Sequence, residues 1–158
     1  MHPNTDRITQ LYTAFQNLDS NAMAECYHPD AIFSDPAFGE IKGEQVTAMW
    51  HMLVGRARDI KVTFRDVQAD DTTGSAHWEA HYTFGKSQNK VHNVIDATFR
   101  FQDGLIIEHR DTFDFYRWSS QALGLPGKLL GWTPFIKSKV RTTVLTQLAT
   151  FMSTSKTE

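Results

Sequence analysis

One stretch in the last third of the chain puts ionisable groups where an apolar row is expected. Leu105, Ile107, His109, Asp111, Phe113 and Phe115 alternate along an extended segment, and extended alternation sends them all to one face. A polar group in such a row is costly unless it is paired or used. His109 and Asp111, side by side on that face, are placed to share a proton or to hydrogen-bond a ligand. Desolvation pushes a carboxylate pKa upward, toward the range where protons are exchanged near neutrality. A second acid, Asp35, precedes Pro36, a pairing that opens turns. Tyr12 lies on the apolar stripe of a helix, where its hydroxyl needs a partner if it is packed in a core. Asn93 is a pocket candidate, while Trp78, Phe33, Trp50 and Phe113 are core residues that could also wall a ligand. His77, Glu79 and His81 alternate on one strand, but such histidines on the outer side of a sheet are usually solvated or interfacial. No metal is expected there.

The elements that must position these groups follow from periodicity. Ile8, Leu11, Tyr12, Phe15 and Leu18 recur at three and four, predicting a helix over 5–18. A shorter helix is expected through Tyr27, stopped by Pro29, then a short strand over 31–35 and an extended piece around Ile41. Helical spacing returns over 44–57. Beyond Arg58 the period becomes two, and the segments 60–69, 75–85, 90–102 and 105–116 read as consecutive antiparallel strands, with Asp103-Gly104 the strongest hairpin signal. In 75–84, Ala76, Trp78, Ala80, Tyr82 and Phe84 form the covered face, and Ser75, His77, Glu79, His81 and Thr83 the other. A last helix over 136–152 carries a stripe from Ile136 to Met152, its basic start (137–141) reads as a solvated face, and 153–158 reads as a frayed tail.

The chain has 158 residues with 41% hydrophobic and 22% charged, enough for one domain with a real core. A net charge of -2 excludes the basic field that nucleic acid selects. Its single cysteine, Cys26, allows no intrachain disulfide, which fits a reducing compartment. No window approaches the roughly 20 apolar residues that span a bilayer, so a cytoplasmic protein with no membrane partner is expected.

Helices followed by sheet imply segregated α+β layers. The element order, with the stretches Tyr27-His28-Pro29-Asp30-Ala31-Ile32-Phe33-Ser34-Asp35-Pro36 and Asp103-Gly104-Leu105-Ile106-Ile107-Glu108-His109-Arg110-Asp111-Thr112-Phe113-Asp114, resembles the nuclear transport factor two-like superfamily, in its SnoaL-like and ketosteroid isomerase-related branch. The resemblance covers 5–118, with 119–152 an extension of the same domain. It implies a cone-shaped fold, N-terminal helices on a curved antiparallel sheet plus a C-terminal helix, around a hydrophobic cavity. It implies Asp35 as a proton-transfer base and Tyr12 as an oxyanion donor. Asp111 resembles the last-strand catalytic Asp of SnoaL-like cyclases and epoxide hydrolase relatives, with His109 beside it. The isomerase oxyanion strand is resembled by Val94-Ile95-Asp96, but parity with Phe99 and Phe101 turns Asp96 outward unless a bulge near Ala97 intervenes.

The implied activity is a cofactor-independent isomerase, cyclase or hydrolase reaction on a small hydrophobic molecule. A non-catalytic ligand-binding module is the alternative. A third reading is a homodimeric assembly domain that pairs through its outer sheet face.

Overall fold

The first helix, α1 (Pro3–Gln16), begins where Pro3 needs no N–H partner and the His2 side chain accepts the N–H of Asn4. Ile8, Leu11, Tyr12 and Phe15 are its buried stripe. Asp19 caps the short α2 (Ser20–Ala24) through the N–H of Ala22. Then follow β1 (Tyr27–Asp35), β2 (Gly39–Lys42), α3 (Glu44–Arg56), β3 (Lys61–Ala69), β4 (Thr73–Thr83), β5 (Lys90–Gln102) and β6 (Leu105–Thr112), and the helices α4 (Phe115–Leu123), α5 (Leu125–Leu130) and α6 (Pro134–Lys156). This is a computed structural model, describing residues 2–156.

The six strands form one sheet in the order β2-β1-β6-β5-β4-β3. Pairing is antiparallel except between β1 and β6, which run parallel. Register shifts in β1 between Tyr27 and Ile32, in β3 between Arg65 and Gln68, and opposite Arg100 and Phe101 bend the sheet around the helices. The architecture is the expected α+β one: N-terminal helices on a curved, unclosed sheet with a C-terminal helix.

Three local readings change. Tyr27 does not end a helix but begins β1, whose pairing with β6 resumes only at Ile32, beyond Pro29. Across β5 and β6, Arg100 faces Glu108 while Phe101 faces Ile106, so Ile107 of β6 is the extra residue of a bulge. Ile106 is therefore fully buried and Ile107 is not, which breaks the single row expected from Leu105 onward. The strand also ends at Thr112, because Asp114 accepts the Arg117 N–H and starts α4. Phe113 and Phe115 thus leave the sheet.

Ala76, Trp78 and Ala80 face inward with Ile95, Ala97, Phe99 and Phe101, and Asp96, Thr98 and Arg100 face outward. The α6 stripe covers this same core: Leu148 is 1% exposed, and Val144, Leu145, Phe151 and Met152 pack beside it. Ile136 joins a second cluster with Val91, Phe115, Trp118 and Ala122. The tail expected over 153–158 is helical as far as Lys156, and Thr157 and Glu158 lie outside the described residues.

Candidate active site

Three elements, β1, β5 and α3, converge on His109 of β6. Its ring is 0% exposed and is surrounded by Phe99 at 4.4 Å, Phe33 at 5.0 Å, Tyr27 at 6.1 Å and Trp50 at 6.3 Å between ring centres. Both ring nitrogens are engaged: Nδ1 with the Tyr27 hydroxyl at 2.8 Å, and Nε2 with Asp111 Oδ1 at 2.8 Å. Trp50 donates its indole N–H to the Tyr27 oxygen at 2.9 Å. An indole can only donate. The chain of bonds closes without an orphan proton when Tyr27 donates to Nδ1 and Nε2–H donates to the carboxylate. Trp78 Nε1 donates to the same Asp111 oxygen at 3.3 Å. His109 has no nitrogen left for a ligand. In this arrangement its partners are Tyr27 and Asp111.

Tyr12 projects toward this acid from α1. Its ring stacks on Phe64 and Trp78, and its hydroxyl is, among the described residues, the one buried side-chain polar atom without a hydrogen-bond partner. Burial, then the negative charge of Asp111, then Tyr27, hold its pKa well above the ordinary value. Its proton therefore stays on, as an unused donor.

Asp35 ends β1 and closes the following turn, its Oδ1 accepting the N–H groups of Ala37 at 2.9 Å and Phe38 at 2.6 Å. Burial pushes its pKa up to about 7; the two N–H bonds and Arg141 oppose this, while the Asp111 charge adds to it. Asp35 thus caps the turn and also feels the charge of Asp111. Arg141, on α6, donates to the carbonyls of Pro36 (3.2 Å) and Ala37 (3.4 Å) and locks the helix onto this turn. Gly39, at φ +72°, leaves it room: a Cβ there would lie 2.9 Å from Arg141 Nε. Tyr82, bonded by Trp118 Nε1 at 2.8 Å, also feels the Asp35 charge.

Residues 8–109 match the SnoaL-like domain. The chain belongs to that family. The fold of this SnoaL-like protein is similar to that of a LEH-like epoxide hydrolase from M. tuberculosis, at 20% identity and a TM-score of 0.65 over 81% of this chain and 96% of that one. It is similar also to a Catenulispora acidiphila protein of ketosteroid isomerase-like fold solved with trimethylamine (18% identity, TM-score 0.66, 81% and 97% covered). A third is IdmH, a proposed polyketide cyclase from Streptomyces antibioticus (21%, TM-score 0.64, 78% and 100% covered). No curated protein sequence matches the chain. These structures are covered almost whole, whereas this SnoaL-like chain runs on past the family match at His109 into α4, α5 and α6.

The structure thus brings together Asp35, Asp111, His109, Tyr12, Trp50, Trp78 and Phe33. Asn93 sits on the inner face opposite Ala80, and Phe113 bridges the two apolar clusters. Asp96 points outward, bonded to His77 at 2.9 Å. His77 and His92 bond in turn to Glu79, so the outer histidines belong to a surface ladder. Sequence reasoning missed Tyr27 and Arg141, while Tyr82 was read as a core residue of the covered face. No periodic signal marked the first, because exposed Pro29 interrupts the alternation between buried Tyr27 and buried Ala31 and Phe33.

The site is shut. Asp111 is 5% and Tyr12 1% exposed. Two open clefts of about 460 and 360 Å³ lie elsewhere, beside Asp59 and His92 and beside Gln68 and Ser75.

Proposed function

We propose that this protein is a cofactor-independent acid-base enzyme of the isomerase, cyclase or hydrolase type, acting on a small hydrophobic molecule. The observation that carries the reading is the pair of acids in unlike settings. Asp111 is held by His109 and Trp78, and Asp35 titrates at about 7. Two carboxyls in such unlike surroundings can divide the roles of base and acid.

Asp111 takes a proton from a carbon next to a carbonyl, or from a water that attacks an electrophilic carbon. The Tyr12 hydroxyl, unpaired in the closed site, donates to the oxygen on which negative charge develops. Asp35, half protonated near neutrality, returns a proton to the product. His109 and Tyr27 keep the Asp111 oxygen aimed. Because the site is closed, entry requires an opening motion, for which the α6 contact at the Asp35 turn, held by Arg141 on Pro36 and Ala37, is our candidate.

The supporting context is the family and a fold similar to those of a LEH-like epoxide hydrolase and a proposed polyketide cyclase. The test is turnover of a panel of β,γ-unsaturated ketones, cyclisable polyketide esters and epoxides. Asp111→Asn and Asp35→Asn should each lower kcat on the order of 10²–10⁴-fold. Turnover untouched in both variants overturns the reading.

The closure itself favours a second reading, a module that holds an apolar ligand without altering it. A hydrophobic molecule that co-purifies, and binds both Asp→Asn variants equally, supports that alternative. Pairing of two copies through the outer face of β4 and β5, over the His77–Glu79–His92 ladder, belongs to the same proposal and is read by light scattering with Glu79→Lys.

A further inference from the structure

The short helix α5 is packed inside out. A helix ordinarily buries its leucines, yet α5 turns glycines inward. A Cβ on Gly127 would lie 1.9 Å from the Ser119 carbonyl oxygen, and one on Gly131 2.2 Å from the Ser119 hydroxyl. This close approach to α4 sends the large apolar residues outward. Leu125, Leu129, Leu130, Trp132 and Phe135 are between 46% and 72% exposed, a contiguous patch of the kind that marks an interaction surface.

Several polar atoms within the patch are already bonded internally. Trp132 Nε1 donates to the Leu129 carbonyl at 3.1 Å, the Thr133 hydroxyl to the Leu130 carbonyl, and the Tyr116 hydroxyl to the Lys128 carbonyl at 2.8 Å. The backbone N–H groups of Lys128, Gly131 and Thr133 are likewise bonded within the segment. Each such bond lowers the cost of bringing the surface into an apolar medium.

Charge selects the medium. From Phe115 onward the sequence holds six basic residues and one acid, net +5, while the preceding part holds ten and seventeen, net -7. Lys128 lies within the patch, and Lys137 and Lys139 follow it at the start of α6.

We propose that α5 and the first turn of α6 dock on an anionic lipid surface. The leucines, Trp132 and Phe135 enter the headgroup boundary, and Lys128, Lys137 and Lys139 meet lipid phosphates. A two-fold contact with a second copy would set these lysines against their own kind. The expectation of no membrane partner rested on the absence of a spanning segment. Among the described residues no helix is long and apolar enough to cross a membrane, but docking in the interfacial plane needs no such helix.

The experiment is flotation of the full chain with phosphatidylcholine vesicles, with and without about 30% phosphatidylglycerol, at low and high salt. Binding is expected to the anionic vesicles alone, weakened by salt. Trp132→Ser with Phe135→Ser should reduce it at least about tenfold, as should Lys128→Glu with Lys137→Glu. All four positions are exposed, so an unchanged circular dichroism melt is the control for folding. Absence of flotation, or flotation unchanged in either double variant, overturns the proposal. So does a dimer in light scattering that Trp132→Ser with Phe135→Ser dissolves, which assigns the patch to a second copy. Binding to polyglutamate as tight as to vesicles, and indifferent to the loss of Trp132 and Phe135, assigns it to an acidic protein.

Discussion

Tyr27 and His109, 82 residues apart in sequence, share a buried hydrogen bond of 2.8 Å that ties the start of β1 to the middle of β6. That bond sets which nitrogen of His109 carries a proton, and hence what Asp111 receives. It is possible because β1 runs parallel to β6, with Tyr27 level with Ile106.

Two tyrosine substitutions separate structural from chemical roles. Tyr27→Phe leaves the Trp50 indole N–H and His109 Nδ1 without their partner, and should cost about 1–3 kcal/mol. Tyr12→Phe removes a hydroxyl that has no partner, and should leave stability unchanged or raise it by up to about 1 kcal/mol while still lowering turnover. Urea unfolding of the two variants checks the first contrast, and kcat the second.

Asp35 makes stability fall as pH rises. Its pKa is about 7 in the folded chain and near 4 in the unfolded one. Between those values the folded chain retains a proton that the unfolded chain has released, so stability declines across that window and is level above it. Asp35→Asn removes the dependence while keeping an oxygen for the Ala37 and Phe38 N–H groups. The variant should match the parent near pH 4 and exceed it at pH 8 by on the order of 2–4 kcal/mol in guanidinium unfolding.

Arg141 couples the last helix to the acid. Its charge lowers the Asp35 pKa, and its guanidinium holds the Pro36 and Ala37 carbonyls. Arg141→Gln should move the Asp35 titration above 7. It should also speed amide exchange in the first half of α6 by roughly tenfold, the loss of about one charged hydrogen bond. Exchange unchanged along α6 would mean that the helix is held by its apolar stripe alone.

Much of the fold was legible because periodicity reports burial directly. The bounds of β5 were readable from the turn clusters on either side, and the two faces of β4 from strict alternation. Parity correctly turned Asp96 outward. The failures share one cause, local backbone events that leave no periodic trace. A bulge at Ile107 shifts one face of β6, and a strand that resumes pairing after Pro29 looks like the end of a helix. An N-cap at Asp114 diverts an apparent strand into α4, although Trp118 and Ala122 at helical spacing could have revealed it. Of the site, Asp111, His109, Asp35 and Tyr12 stood out as polar groups in apolar company. Tyr27 and Arg141 did not, because their roles depend on the parallel pairing and on where α6 lies.

The account turns on Asp35 and Asp111 acting as one coupled pair in a closed site, and a carboxyl ¹³C titration of Asp35 tests that most directly. The wild-type midpoint should fall at about 7, and in Asp111→Asn it should drop measurably, because a negative neighbour has been removed. A midpoint near 4 in both proteins would contradict the account.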